Sequence, residues 1–298
     1  MNWNAIEFCP KLPPKSAGGN TTCGDYVAKL LADNLFNGST QAQRLLAARY
    51  QQMKDNYPNV PHDDSRWDLE LGSMKVRRYK TDKAALLPVP HGRMGNCGAL
   101  VNQLWNHPNF GLDMPTWMVK RDVKKPHRVM IVAQDPLRTD QEKGNLVLST
   151  PFGFHSADYR NVCCENHTLC CFVERLLEEC EVCVYLTDCR KFYTSDRFVN
   201  ARKRQFKGLF DNVLHAEMEI FNPDLIVALG NDAADAIGAK RPGRGCDVQR
   251  DHDPKVLAAY HTGARPKHFK NFVESGSKSD YFAKVFETVH GELDVKHG

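Results

Sequence analysis

No apolar run in the 298 residues is longer than five, as at 129–133 and 225–229, against the ~20 needed to span a bilayer. The opening Met1-Asn2-Trp3-Asn4-Ala5-Ile6-Glu7 has neither a basic nor an apolar segment, so no signal peptide is expected. Membrane and secreted classes are set aside, and a cytoplasmic protein is expected. Internal repeats and low-complexity tracts are missing too. Charge of one sign is scarce: 40 Lys+Arg face 36 Asp+Glu, a formal net charge of +4. With 42% hydrophobic and 26% charged residues the composition is that of a globular chain. At roughly 150 residues per domain its length allows one large domain or two small ones.

The cysteines lack zinc spacing. There are eleven, an odd number, seven of them between Cys163 and Cys189. Without a secretion signal they read as reduced thiols. Cys180-x-x-Cys183 has no second pair at zinc-site separation, and Cys183 lies in the apolar run 182–186, where cysteine behaves as a small hydrophobe. Core packing is the expectation there, with no metal and no cofactor.

Basic residues are present in clusters: Lys120, Arg121, Lys124 and Lys125; Arg202, Lys203, Arg204 and Lys207; Lys240, Arg241 and Arg244; Arg265, Lys267, His268 and Lys270. Each alone is an ordinary solvated face, whereas four together favour a polyanionic partner.

From residue 128 onward strands and helices alternate. Apolar strands are predicted at 128–133, 181–186, 224–229 and 255–260. Helices are predicted at 167–179, 200–219, 232–237 and 278–290. The spacing Phe206, Leu209, Phe210, Val213, Leu214 marks an amphipathic helix. Strands separated by helices imply right-handed crossovers and a parallel sheet covered on both faces. The expected fold is thus α/β, a three-layer α/β/α sandwich with a four-stranded parallel sheet over 128–298. Residues 1–127 form a helical and loop-rich extension packed on that core. In it 25–54 is helical with a break at Gly38, and 58–126 is rich in Pro, Gly and charge.

Sites in open parallel sheets lie beyond the carboxyl ends of the strands. Asp135, Asp188 and His261 stand at three such ends, two carboxylates and an imidazole. The alternative for each Asp is a loop cap.

Four segments resemble motifs of the uracil-DNA glycosylase superfamily. Val129-Met130-Ile131-Val132-Ala133-Gln134-Asp135-Pro136 is similar to its strand running into Gly-Gln-Asp-Pro-Tyr. Tyr185-Leu186-Thr187-Asp188 stands where the superfamily has a strand ending in a base-reading Asn. Leu225-Ile226-Val227-Ala228-Leu229-Gly230 resembles the strand before the His-Pro-Ser loop, and Tyr260-His261-Thr262-Gly263 resembles that loop. The resemblance covers about 128–290 and implies a DNA partner and base flipping, because a base inside a duplex is inaccessible. It implies that Asp135 orients the attacking water and that His261 donates to the pyrimidine O2. Gln134 would line the base, Phe152 and Phe154 stack on it or pack in the core, and Thr262, Gly263, Arg265 and Lys267 meet DNA.

Two positions depart from the pattern. An ionised Asp188 only accepts hydrogen bonds, which suits the N4 amino group of cytosine and clashes with uracil O4. Leu137 stands where the uracil enzymes close the pocket against the 5-position with Tyr. A 5-modified cytosine is therefore the expected target, and the superfamily includes anti-phage glycosylases that excise glucosylated 5-hydroxymethylcytosine. A monofunctional enzyme with no metal and no obligatory protein partner is expected. A uracil-repair enzyme and a non-catalytic DNA-binding module of the same fold stay open as alternatives.

Overall fold

The computed structural model describes residues 3–10, 23–55, 87–90, 99–104, 110–134, 145–154, 168–193, 203–242, 246–262, 264, 266–270, 272–273 and 275–294. In chain order the strands are β1 (Ile6–Phe8), β2 (Leu87–Pro90), β3 (Gly111–Asp113), β4 (Thr116–Lys120), β5 (His127–Ala133) and β6 (Asn145–Ser149). They continue with β7 (Val182–Asp188), β8 (Phe192–Tyr193), β9 (Leu225–Leu229), β10 (Val248–Gln249) and β11 (Lys255–Ala259). The helices are α1 (Cys23–Leu35), α2 (Thr40–Asp55), α3 (Ala99–Leu104), α4 (Thr168–Glu179), α5 (Lys203–Phe221), α6 (Asn231–Ala236), α7 (Pro266–Phe269) and α8 (Lys278–Asp294).

The α/β class stands, but the main sheet is seven-stranded and mixed rather than four-stranded and parallel. Its order is β1-β4-β7-β5-β9-β11-β10. β5 pairs in parallel with both β7 and β9, and β11 with β9. Antiparallel β4 and β1 extend this centre on the β7 side, and antiparallel β10 closes the other edge. β7, β9 and the last five residues of β5 are fully buried, as expected of strands covered on both faces. From β5 the chain moves to β7 in one direction through α4, then returns past β5 to β9 through α5. Right-handed crossovers of opposite direction put α4 and α5 on opposite faces. α8 packs beside α4, while α1 packs on both α2 and α5.

Local chemistry accounts for the helix limits. α4 buries Leu169, Cys170, Phe172, Val173, Leu176 and Leu177 as one stripe, so Cys170 is a core residue, as is Cys183 in β7. The break at Gly38 separates α1 from α2. Gly38 has φ 70° and donates its N–H to Ala32 O at 3.0 Å, a left-handed closure that favours glycine. Ser39 then caps α2, its Oγ accepting from Ala42 N at 3.2 Å.

Composition changes near residue 127, yet the sheet runs straight across that point. β4 lies on β7 with Trp117 opposite Tyr185, and their rings stack at 5.8 Å. The Trp117 indole donates to Pro10 O at 2.8 Å, tying in the segment after β1. Residues from Ile6 to Leu293 share one hydrophobic core. A second sheet, in the order β2-β6-β3-β8, draws strands from both sides of residue 127.

A fragment of residues 128–298 would expose the hydrogen-bonding edge of β7 and the face of Tyr185. Exposed apolar edges self-associate. The fragment is expected to elute as aggregate and to lose its near-ultraviolet dichroism. A monomeric fragment with a native-like spectrum would contradict this account.

Candidate functional site

Register fixes the layout of the carboxyl edge. Ala133 of β5 lies opposite Asp188 of β7, Val132 opposite Ala228 of β9, and Leu229 opposite Ala259 of β11. Asp188, Ala133, Leu229 and Ala259 therefore form one row across four strands. The chain leaves β5 toward β7 on one side and reaches β9 on the other, so the reversal of strand order falls at β5. That is where open α/β sheets hold ligands.

The turn after β7 curls over the end of β5. Cys189 N donates to Ala133 O at 2.8 Å, and Arg190 N to Gln134 O at 3.1 Å. The Cys189 thiol also donates to Gln134 O, at 3.1 Å, and burial pushes this thiol up to about 12. Asp188 is enclosed, 2% exposed. Beyond it, Arg190 forms an ion pair with Asp232 in the first turn of α6.

Beneath this turn lies a buried polar cluster that the sequence reading missed. Lys191 and Glu217 are each 0% exposed, and the Lys191 ammonium sits 2.8 Å from Glu217 Oε1 and from Oε2. Thr187 Oγ1 donates to Glu217 Oε2 at 2.7 Å and accepts from Lys191 Nζ. Desolvation pushes the Glu217 carboxyl above its ordinary range, against the opposing pull of Lys191. A signal existed for Glu217. On α5, Phe206, Phe210, Val213, Leu214 and Phe221 are buried, and position 217 continues that stripe at helical spacing. Lys191, between Arg190 and Phe192, offers no periodicity from which its burial could be read.

On the far side of β5, His261 stands two residues past β11 and is half-buried. Gly230, ending β9, has φ 93° and ψ 174°, a combination open essentially to glycine alone. A Cβ there would lie 3.3 Å from His261 Cβ. Gly230 N donates to Ala259 O at 2.7 Å, and Ala264 N to His261 O at 2.8 Å, closing the turn. The base of the turn is gripped by aromatics. Tyr260 N donates to the Tyr281 hydroxyl at 2.9 Å, and the Tyr260 ring contacts His268, Phe269, Phe272 and Tyr281.

Among the expected site residues, Gln134 and Asp188 come together at adjacent strand ends, and His261 stands on the same edge. Asp135, Leu137, Gly263 and Arg265 lie outside the described residues. The turn carrying Phe152 packs against β7; Phe152 is half-buried with φ 57°, a left-handed conformation that costs a bulky residue strain. Phe154 is fully buried with its ring edge-on to Trp3 at 6.5 Å, the environment of the core-packing alternative. Thr262, expected at the DNA, is 6% exposed in the turn after β11. Lys267 is exposed on α7.

Several cations of the basic clusters have acidic partners, whereas Arg121, Lys124, Lys125 and Lys270 are exposed. Lys207 pairs with Asp211 at 2.6 Å, Lys240 with Asp251 at 3.8 Å, and Arg241 with Asp235 at 2.6 Å. The Arg241 guanidinium holds the Asp235 carboxyl below its usual range. Lys267 has no acidic partner among the described residues.

Removing one member of a buried ion pair strands the other, at about 3–5 kcal/mol. Lys191→Met and Glu217→Leu are each expected to lose that much in urea unfolding, and the double variant to recover most of it. A double variant no more stable than either single would refute the pairing. Gly230→Ala is expected to cost about 1–3 kcal/mol through its backbone conformation; an unchanged midpoint would show that the turn tolerates a side chain.

Compared with protein-family models and with curated proteins, the chain matches none.

Proposed function

We propose that the protein is a DNA glycosylase that flips a 5-modified cytosine, such as glucosylated 5-hydroxymethylcytosine of phage DNA, out of the duplex and hydrolyses its N-glycosidic bond. The observation that carries this reading is the pairing of Asp188 and His261 on one sheet edge, either side of the strand-order reversal at β5. In this reading β7, β5, β9 and β11 are the parallel core that the resemblance to uracil-DNA glycosylases implies. Three interstrand steps of ~4.8 Å separate β7 from β11, roughly 14 Å between backbones. That span suits one pyrimidine ring between an aspartate and an imidazole.

Cleavage of the bond between C1′ and the base leaves positive charge on the sugar and negative charge on the base. Asp135, one residue past Gln134, orients the attacking water and stabilises the sugar cation. Water supplies hydroxyl to C1′, and its proton ends on the departing base, leaving an abasic site. His261 donates to the pyrimidine O2 as charge gathers there; a preorganised donor of this kind is worth about 2.7–4 kcal/mol in the transition state. The Gly230 approach and the Tyr260–Tyr281 contact hold the turn that carries the imidazole. Asp188 accepts from the N4 amino group, Gln134 lines the same end, and Leu137 leaves room for the 5-substituent. The strained Phe152 offers a ring beside β7, and Lys267 a charge for the DNA backbone.

Matched duplexes carrying cytosine, uracil, 5-hydroxymethylcytosine or its glucosylated form test this. Base release is read by mass, and abasic sites by alkaline cleavage. The glucosylated duplex is expected to be cut. Asp135→Asn and His261→Ala are expected to slow release by about 100-fold or more, and Asp188→Asn to move preference away from cytosine. Release of uracil alone would favour a repair enzyme; no release from any duplex would end the enzymatic reading.

A further inference from the structure

The Arg190–Asp232 ion pair joins the turn after β7 to the first turn of α6. Arg190 follows β7 and Asp232 follows β9, and β5 lies between those strands. The pair therefore spans the end of β5, above the enclosed Asp188.

We propose that Arg190 is a phosphate contact of the bound DNA strand, held by Asp232 until DNA takes its place. This rests on the nucleic-acid reading above and adds to it the group that receives the backbone of the flipped nucleotide. Three observations support it.

The first is preorganisation. The Arg190 N–H is bonded to Gln134 O at 3.1 Å, and Cys189 and Lys191 on either side are buried. The guanidinium thus projects from a fixed backbone, and little order is lost when it changes partner.

The second is the asymmetry of the pair. The side chain of Arg190 is 19% exposed and that of Asp232 39%. Asp232 is the member nearer water, and it also lies within electrostatic reach of Arg241. It can give up Arg190 without being left as a buried lone charge.

The third is chemical type. A guanidinium presents parallel N–H donors that match two phosphate oxygens, an arrangement lysine cannot supply. Lys207, Lys240 and Arg241 each already have a carboxylate partner of their own.

The test is the binding of a labelled duplex containing one tetrahydrofuran abasic residue, followed by fluorescence anisotropy across a range of NaCl concentrations. Removing one phosphate contact lowers the slope of log affinity against log salt by about 0.7–0.9. Arg190→Gln is expected to show that loss and to weaken binding several-fold. Asp232→Asn, which removes the charge opposite Arg190 without changing shape, is expected to tighten binding several-fold. The exchange Arg190→Asp with Asp232→Arg keeps a bridge but moves the cation to α6; it is expected to retain the melting temperature and to bind as weakly as Arg190→Gln.

A wild-type slope in Arg190→Gln would overturn the phosphate contact. So would wild-type binding by the exchanged protein, because the bridge alone would then suffice. Weakened binding by Asp232→Asn would overturn the reserve role, since Asp232 would then be aiming Arg190 rather than restraining it. Salt-independent or absent binding by the wild type would instead remove the nucleic-acid reading itself, and this proposal with it.

Discussion

The parallel pairing of β5 with β7 is the constraint on which the rest of the molecule depends. Seven residue pairs run from His127 opposite Val182 to Ala133 opposite Asp188. A slip of one residue would turn every side chain of β7 to the other face of the sheet. Tyr185 would leave its stack on Trp117, and Thr187 would lose Glu217. Asp188 would move off the end of β5. The apolar core and the polar edge are therefore specified together, because the residues that set the register are those whose alternation decides what faces the helices and what stands at the strand end.

The central strands and their helices were legible because their signals are local. The runs 225–229 and 129–133 are continuous apolar blocks ending at Gly230 and Gln134, and the stripes of α4 and α5 repeat at helical spacing. The break at Gly38 was legible for the same reason. The sheet edges were not. β1 is three residues long, β10 is two, and each exists only through its antiparallel partner. β4, Thr116-Trp117-Met118-Val119-Lys120, carries its apolar residues without a helix before or after it to mark a crossover unit. Its place beside β7 comes from contacts such as Trp117 on Tyr185, which lie 68 positions apart and leave no local trace.

At the edge itself, the order of strand ends was readable and the enclosed charges were not. Asp188 and His261 were marked by position, each just where an apolar run stops. Phe154 and Thr262 were marked by the same proximity, and both are as enclosed as Asp188. Lys191 and Glu217 illustrate the harder case. A fully buried ion pair is costly to desolvate and often no more stabilising than apolar residues of equal size. What this one does is join three elements: Lys191 in the turn after β7, Thr187 in β7, and Glu217 in α5. The turn is also tied to β3, where Asp113 N donates to Lys191 O at 3.2 Å. The four-residue segment from Asp188 to Lys191 is thus held from the sheet, from a helix and from the second sheet at once.

That division of labour bears on which positions of the edge are free to change. The strands need only apolar bulk, and many combinations of Val, Ile, Leu, Ala and Met fill a core of fixed volume. Whatever follows the last apolar residue of each strand is free of that demand and is brought to one line by the register. A single exchange at position 188, amide for carboxylate, replaces an acceptor with a donor and leaves Tyr185 and Leu186 packed as before. His261 is less free, because its approach depends on the absence of a side chain at Gly230, in a different strand. The two sides of the edge are therefore unequal: one can alter which hydrogen-bonding pattern it accepts by changing one residue, and the other is committed by backbone geometry. Position 188 can therefore change at little structural cost, while the placement of the His261 imidazole is tied to the packing of β9 against β11.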